Sequence, residues 1–184
     1  MCDMVYIFLA DGFEELEALN PVDVLRRAGI PITTVGVGNK TAIGSHQIPV
    51  ICDKTIEELT SFEDMEMVIL PGGMPGTTNL ENSSGVQKAL EWAAEKELWI
   101  GAICAAPSIL GHKGLLEGKK AVCFPGFEDA LTGAKLSTEN VCIDGRIITA
   151  KGAGAALEFA LALVKCLKGD AASQTIKETM QCSR

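Results

Sequence analysis

The sequence predicts an α/β fold, a three-layer sandwich with a mostly parallel sheet, helices on both faces and a small β-hairpin. Three observations carry the layered part of that expectation. Short apolar runs alternate with amphipathic stretches along nearly the whole chain, which favours a parallel sheet covered on both sides. The runs "MVYIFLA", "MEMVIL" and "LWIGAI" are apolar throughout rather than alternating, as strands buried on both faces are. No linker, repeat or low-complexity segment interrupts the 184 residues, a length that suits one domain over residues 1–184.

The elements read in order as follows. Met4 to Ala10 is a buried strand. "DGFEELEALNPVDVLRRAGI" is a helix in two pieces, with Asn20 capping the second, Pro21 in its first turn and Gly29 ending it. Pro31 to Gly38 is the second strand, and "KTAIGSHQIPVICD" a hairpin-like excursion. Met67 to Leu70 is a strand that stops in the glycine loop "PGGMPG". "SGVQKALEWAAEKE" is an amphipathic helix, "LWIGAI" a strand, "PSILGHKGLL" a helix and "KKAVCF" a strand. "VCIDGRIITAKG" is a hairpin turning at Asp144-Gly145. A long helix closed by Gly169 and a more polar one, "DAASQTIKETMQ", complete the chain.

Composition narrows the function. There are 24 acidic and 16 basic residues, a net charge of −8, and a sequence pI near 4.8 with mean hydropathy +0.23. Nothing forms a basic stripe, so neither nucleic acid nor an anionic membrane surface is the expected partner. The first residues lack a basic segment ahead of a long apolar core, and no run reaches the length of a membrane-spanning helix. The expectation is a cytoplasmic protein. Seven cysteines without CxxC spacing and two histidines, His46 and His112, argue against a disulfide framework or a zinc site. No metal and no cofactor is expected. "KGAGAALEF" resembles half of a dinucleotide fingerprint, but Leu157 stands at the third glycine and no strand follows.

Ligands of open α/β sheets sit beyond the carboxyl ends of the strands. Three features fall there: "DGFEELE" after the first strand, "PGGMPG" after Leu70, and Cys104 after Ile103. A cysteine at a sharp strand-to-helix junction is pushed toward solvent, with backbone N–H groups of the next turn favouring its thiolate. Small neighbours, Gly101, Ala102, Ala105 and Ala106, permit such a turn. On spacing alone, a core cysteine and a nucleophile remain evenly matched. Among Glu14, Glu15 and Glu17, the first and last share a face, and one carboxyl from this turn can reach the Cys104 region.

The segments "LADGFEELEA", "PVDVLRRAGI", "VILPGGMPGTTNL", "GAICAAPSIL" and "AKGAGAALEFALALV" together resemble the ThiJ/PfpI superfamily, in its deglycase-like branch, over essentially the whole chain. The resemblance implies the flavodoxin-like form of the sandwich and a homodimer. It implies Cys104 as the reactive cysteine and Glu17 as the protonated acid beside it. Gly73 and Ala105 are implied as backbone donors at an oxyanion site, and Arg27 and His46 as basic residues nearby. It implies small reactive carbonyls or glycated groups as substrates, or, alternatively, a redox-sensing or chaperone-like protein whose cysteine is oxidised to the sulfinate. One departure stands out. The family's human member has a histidine twenty residues after its cysteine, and this chain has Phe124. His112 is expected on the helix after Cys104, away from the sulfur.

Overall fold

The computed structural model describes residues 3–182. The described residues form eleven strands: β1 (Met4–Ala10), β2 (Ile32–Val37), β3 (Thr41–Ile43), β4 (Pro49–Ile51), β5 (Lys54–Thr55), β6 (Met65–Leu70), β7 (Trp99–Ile103), β8 (Lys120–Ala121), β9 (Lys135–Leu136), β10 (Val141–Asp144) and β11 (Ile147–Ala150). The helices are α1 (Glu15–Arg27), α2 (Gly76–Asn82), α3 (Ser84–Glu95), α4 (Pro107–His112), α5 (Ala156–Lys168) and α6 (Asp170–Thr179).

Seven strands form one sheet in the order β10-β11-β7-β6-β1-β2-β5. All its pairings are parallel except β10 with β11. The β3–β4 pair is the small antiparallel hairpin, with Ala42 opposite Val50. The expected layering is therefore what the chain adopts.

Residues of β1 alternate between two cores. Val5, Ile7 and Leu9 face one that holds α1, α5 and α6 through Ala18, Leu25, Phe159 and Ile176. Tyr6, Phe8 and Ala10 face the other, with Val86 and Leu90 of α3 and Ile109 of α4. Side chains as large as Phe8 and Phe159 are fully buried, each contributing roughly 1.5–3 kcal/mol of transfer free energy.

The chain runs from β1 outward to β2, then returns to the other side of β1 as β6. That reversal makes the β1/β6 boundary a switch point, where strand ends diverge and leave a crevice. The N-terminus of α1 and the loop after β6 open onto it, beside the end of β7.

Several local expectations need correction. Helix α1 is continuous, with Pro21 inside it and Glu14, not Asn20, as its N-cap. Asn20 instead donates its side-chain amide to the Leu16 carbonyl at 3.1 Å. An internal proline costs about 3 kcal/mol, and burial of Ala18, Val22, Val24 and Leu25 outweighs it. Gly29, at φ +64°, does end the helix. The helix after Cys104 stops at His112, and the strand at "KKAVCF" covers only Lys120–Ala121. Helix α2, which directly follows the glycine loop, was not anticipated. The β10–β11 turn is Gly145-Arg146, since Asp144 pairs with Ile147.

Candidate functional site

Cys104 follows the last residue of β7 and has φ +66°, a left-handed conformation that costs a non-glycine residue free energy and clusters at functional sites. Its backbone is pinned on both sides: its N–H donates to Ala150 at 2.9 Å, and its carbonyl accepts from Phe124 N–H at 2.8 Å. The side chain is half-buried. The backbone N–H groups of Ala105 and Gly73 are near enough to the sulfur to favour its charged form.

Glu17 reaches the sulfur from the first turn of α1. It is completely buried. Its Oε2 accepts the Gly72 N–H at 2.8 Å, and the carboxyl lies beside Cys104, close enough to raise the thiol. No donor reaches Oε1 among the described residues. Glu14 fixes the turn that carries it, accepting the Glu17 N–H at 2.8 Å, while the Glu14 N–H donates to Gly72 at 2.9 Å. The loop thus binds both the backbone and the side chain of the turn that it faces.

Two glycines are required by this packing. A Cβ on Gly72 would stand 2.6 Å from both Cys104 Cβ and Glu17 Oε2, closer than side chains pack. Gly73 has φ +90°, which lets its N–H turn to the sulfur.

The electrostatics belong to the pair. Burial pushes the Glu17 carboxyl up to about 7. Burial, then the Glu17 charge and hydrogen bond, push the Cys104 thiol up to about 12, while the Ala105 and Gly73 N–H groups pull it down. Two anions in contact in a buried site repel strongly, so one proton is held between them until high pH. The position of that proton follows from the donors. The sulfur has two N–H groups, the carboxyl has one, and Oε1 has none. A proton on Oε1 gives that oxygen a hydrogen bond to make, with the thiolate as its acceptor, and removes the largest charge opposing the thiolate.

His46 and Glu15 form a second cluster at the same end of α1. Glu15, 4% exposed, accepts the His46 N–H at 2.8 Å and contacts its Nδ1 at 2.9 Å. The pairing raises the exposed His46 imidazole above its ordinary value and holds Glu15 below its own, against desolvation. Glu14, Glu15 and His46 offer ligand atoms within 4.8 Å of one another. Glu15 is already engaged by the loop it fastens, so the geometry is that of a lock on residues 45–48.

The structure brings Cys104, Glu17, Gly73 and Ala105 together. His46 reaches the neighbouring turn, and its contact is Glu15. Arg27 is not brought to the sulfur in this chain. It ends α1, about 15 Å along the helix from Glu17 at ~1.5 Å per residue, and pairs with Asp23 at 2.7 Å. His112 lies in the last turn of α4 against Glu81 at 2.6 Å, away from Cys104. Sequence reasoning missed Gly72, whose amide holds Glu17, and the Phe124 amide that holds Cys104. The doubled glycine after β6 was the available signal for the first, and backbone contacts leave no signal for the second. Cys2 lies outside the described residues. Cys52, Cys123 and Cys142 are buried and free.

A parallel sandwich with a cysteine on a strained strand-to-helix turn and a buried acid on its sulfur defines a class of cysteine-centred α/β proteins. The chain belongs to the DJ-1/PfpI family, whose sequence profile matches residues 3–166. It is 35% identical over 175 residues to the Parkinson disease protein 7 homolog of Danio rerio, covering 93% of each chain. It is 34% identical over 161 residues to the glutathione-independent glyoxalase DJR-1.2 of Caenorhabditis elegans, covering 85% of this chain and 83% of that one. Against protein DJ-1 homolog B of Arabidopsis thaliana, identity is 37% over 168 residues, covering 90% of this chain and 38% of that longer protein. The crystal structure of Drosophila melanogaster DJ-1beta superposes with a TM-score of 0.92 at 31% identity, with both chains covered completely. Oxidised DJ-1 of Toxoplasma gondii gives 0.93 at 31% identity, covering 98% of this chain and 99% of that one. Among the described residues, no helix is long and apolar enough to cross a membrane.

Proposed function

We propose that the chain is a cofactor-free enzyme that uses Cys104 as a nucleophile on small reactive carbonyls, α-oxoaldehydes first, with glycated groups as a related substrate class. The observation that carries this reading is the buried Glu17 carboxyl packed beside Cys104 across Gly72, where an added Cβ would stand 2.6 Å from both. The thiolate attacks the aldehyde carbon. A C–S bond forms, and the carbonyl π pair moves to oxygen, where the Gly73 and Ala105 N–H groups stabilise it. The Oε1 proton of Glu17 passes to that oxygen, giving a hemithioacetal. The Glu17 carboxylate then takes the proton from the former aldehyde carbon and delivers it to the neighbouring carbon, while the hemithioacetal hydroxyl proton passes to the neighbouring carbonyl oxygen. The first carbon is oxidised to a thioester and the second reduced to an alcohol, so no external oxidant is needed. Water cleaves the thioester, releasing a 2-hydroxy acid and the thiol. The relative named as a glutathione-independent glyoxalase supports this scheme.

Incubating the purified protein with methylglyoxal, without glutathione or added metal, tests the reading. Lactate is expected from wild type and not from Cys104→Ser. The rate is expected to be low, because Phe124 stands where an imidazole would assist, and general acid–base help amounts to ~10²–10⁴-fold. Absence of lactate above the Cys104→Ser background, for this and other α-oxoaldehydes, refutes it.

A redox-sensing role is the second reading, favoured by the oxidised state of the Toxoplasma relative. Loss of a nearby imidazole weakens proton transfer but leaves thiolate oxidation possible. A homodimer fits the exposed apolar side chains of Leu16, Leu19, Ile48 and Ile51 on α1 and the β3–β4 hairpin, and size-exclusion chromatography with light scattering checks it.

A further inference from the structure

The reading above specifies the reacting end of the substrate and leaves open what the carbonyl carries. The two chain segments that grip the Cys104 backbone, at Ala150 and Phe124, continue directly into the walls of a cavity. Phe124, Pro125, Lys151 and residues 152–155 line it, with Asn140. Its volume is about 480 Å³, within the ~300–1,000 Å³ usual for ligand pockets.

The lining is mostly apolar. The Phe124 side chain is 47% exposed and lies on Gly152, where an added Cβ would come within 3.1 Å of ring Cδ2. Gly152 is extended, with φ 163°, so the glycine serves close approach of the ring rather than backbone conformation. A large aromatic covered on one side by a glycine presents its remaining surface to whatever enters. The polar members are already engaged in part. The Asn140 carbonyl accepts the Lys151 N–H at 2.9 Å, and its side-chain amide donates to Glu158 at 3.2 Å.

Resting on the assignment of Cys104 as a carbonyl nucleophile, we propose that this cavity is the subsite for the substituent of the carbonyl and that Phe124 selects flat, apolar substituents. Aryl α-oxoaldehydes are then preferred over methylglyoxal. An aromatic substituent stacks on or edges against the Phe124 ring, whereas a methyl group leaves most of the cavity to water.

The test compares alkylation of Cys104 by phenacyl bromide and by bromoacetone, read by mass spectrometry. Each rate is divided by that of N-acetylcysteine with the same reagent. In wild type the normalised ratio is expected to favour the aryl reagent by about tenfold, the order of an aromatic contact. Phe124→Ala and Gly154→Leu are both expected to lower that ratio toward one. A Cβ on Gly154 meets nothing within 4 Å, so a side chain there fills space without disturbing the fold. Equal normalised rates in wild type, or a ratio that neither substitution changes, overturn the proposal. Phenylglyoxal and methylglyoxal turnover by the same proteins separates the two readings. Turnover without selectivity overturns the subsite and leaves the enzyme. Selective alkylation without turnover supports the subsite and removes the enzyme.

Discussion

Glu17, packed against Cys104 across Gly72, takes the Gly72 amide on Oε2 at 2.8 Å and keeps Oε1 buried with no donor among the described residues. A carboxylate oxygen in that position would be desolvated and unpaired, at a cost of several kcal/mol for a charged group. A protonated one satisfies itself by donating to sulfur.

Stability is expected to report this proton. The Glu17 carboxyl is raised from 4.5 to about 7 in the folded chain, so the folded state binds more protons than the unfolded state between those values. Stability contributed by the pair's second proton is full below about 4.5 and is lost as pH rises through about 7, whichever of the two groups releases it. Glu17→Gln removes the titration. Its stability relative to wild type is expected to rise by on the order of 3 kcal/mol across that window, measured by urea unfolding at a series of pH values. A difference that does not change with pH would mean that Glu17 is not held protonated.

The parts of this site that lie at strand ends were legible in the sequence. The β1, β6 and β7 runs are apolar throughout, so their ends, and hence Glu17, the glycine loop and Cys104, could be placed on one edge. Contacts made by backbone atoms were not legible, because the Gly72 amide and the Phe124 amide carry no side-chain signature. Pro21 misled because local propensity argues for a break, whereas the buried face of α1 holds the helix through it. Arg27 came from resemblance. Its place ten residues beyond Glu17 on the continuous helix α1 takes it away from the sulfur within this chain.

Gly72→Ala is expected to disable the site even where the fold survives. The new Cβ stands 2.6 Å from Cys104 Cβ and from Glu17 Oε2, so one of them must move. Destabilisation of about 1–3 kcal/mol, typical of overpacking, and loss of preferential Cys104 alkylation are expected by denaturant unfolding and peptide mass mapping. Wild-type alkylation in this variant would show that the Gly72–Glu17–Cys104 packing is not needed.

The Glu15–His46 pair predicts an imidazole that titrates above its ordinary value, because the carboxylate favours the charged ring. Glu15 is held below its own ordinary value, so the ion pair exists above the Glu15 value and is lost as pH rises through that of His46. An NMR titration of His46 is expected to show a raised midpoint in wild type that returns toward 6.5 in Glu15→Gln. The same midpoint in both proteins would dissolve the lock on residues 45–48.

Cys104 is expected to be the most readily oxidised of the described cysteines. Cys52, Cys123 and Cys142 are buried, whereas Cys104 is half-buried, on a strained turn beside the Glu17 carboxyl that can hold a proton while the sulfur is charged. Mild peroxide followed by peptide mass analysis should find sulfinate first at Cys104. Modification concentrated at Cys182, with Cys104 untouched, would contradict this.

The state of the Cys104–Glu17 pair is tested most directly by ultraviolet thiolate absorbance, taken as the difference between wild type and Cys104→Ser across pH. The account predicts thiolate absorbance already present at neutral pH, with the pair's remaining proton on Glu17. A difference spectrum that stays flat through neutral pH and rises only toward 12 would place the first charge on the carboxyl, leaving Cys104 a thiol at neutral pH.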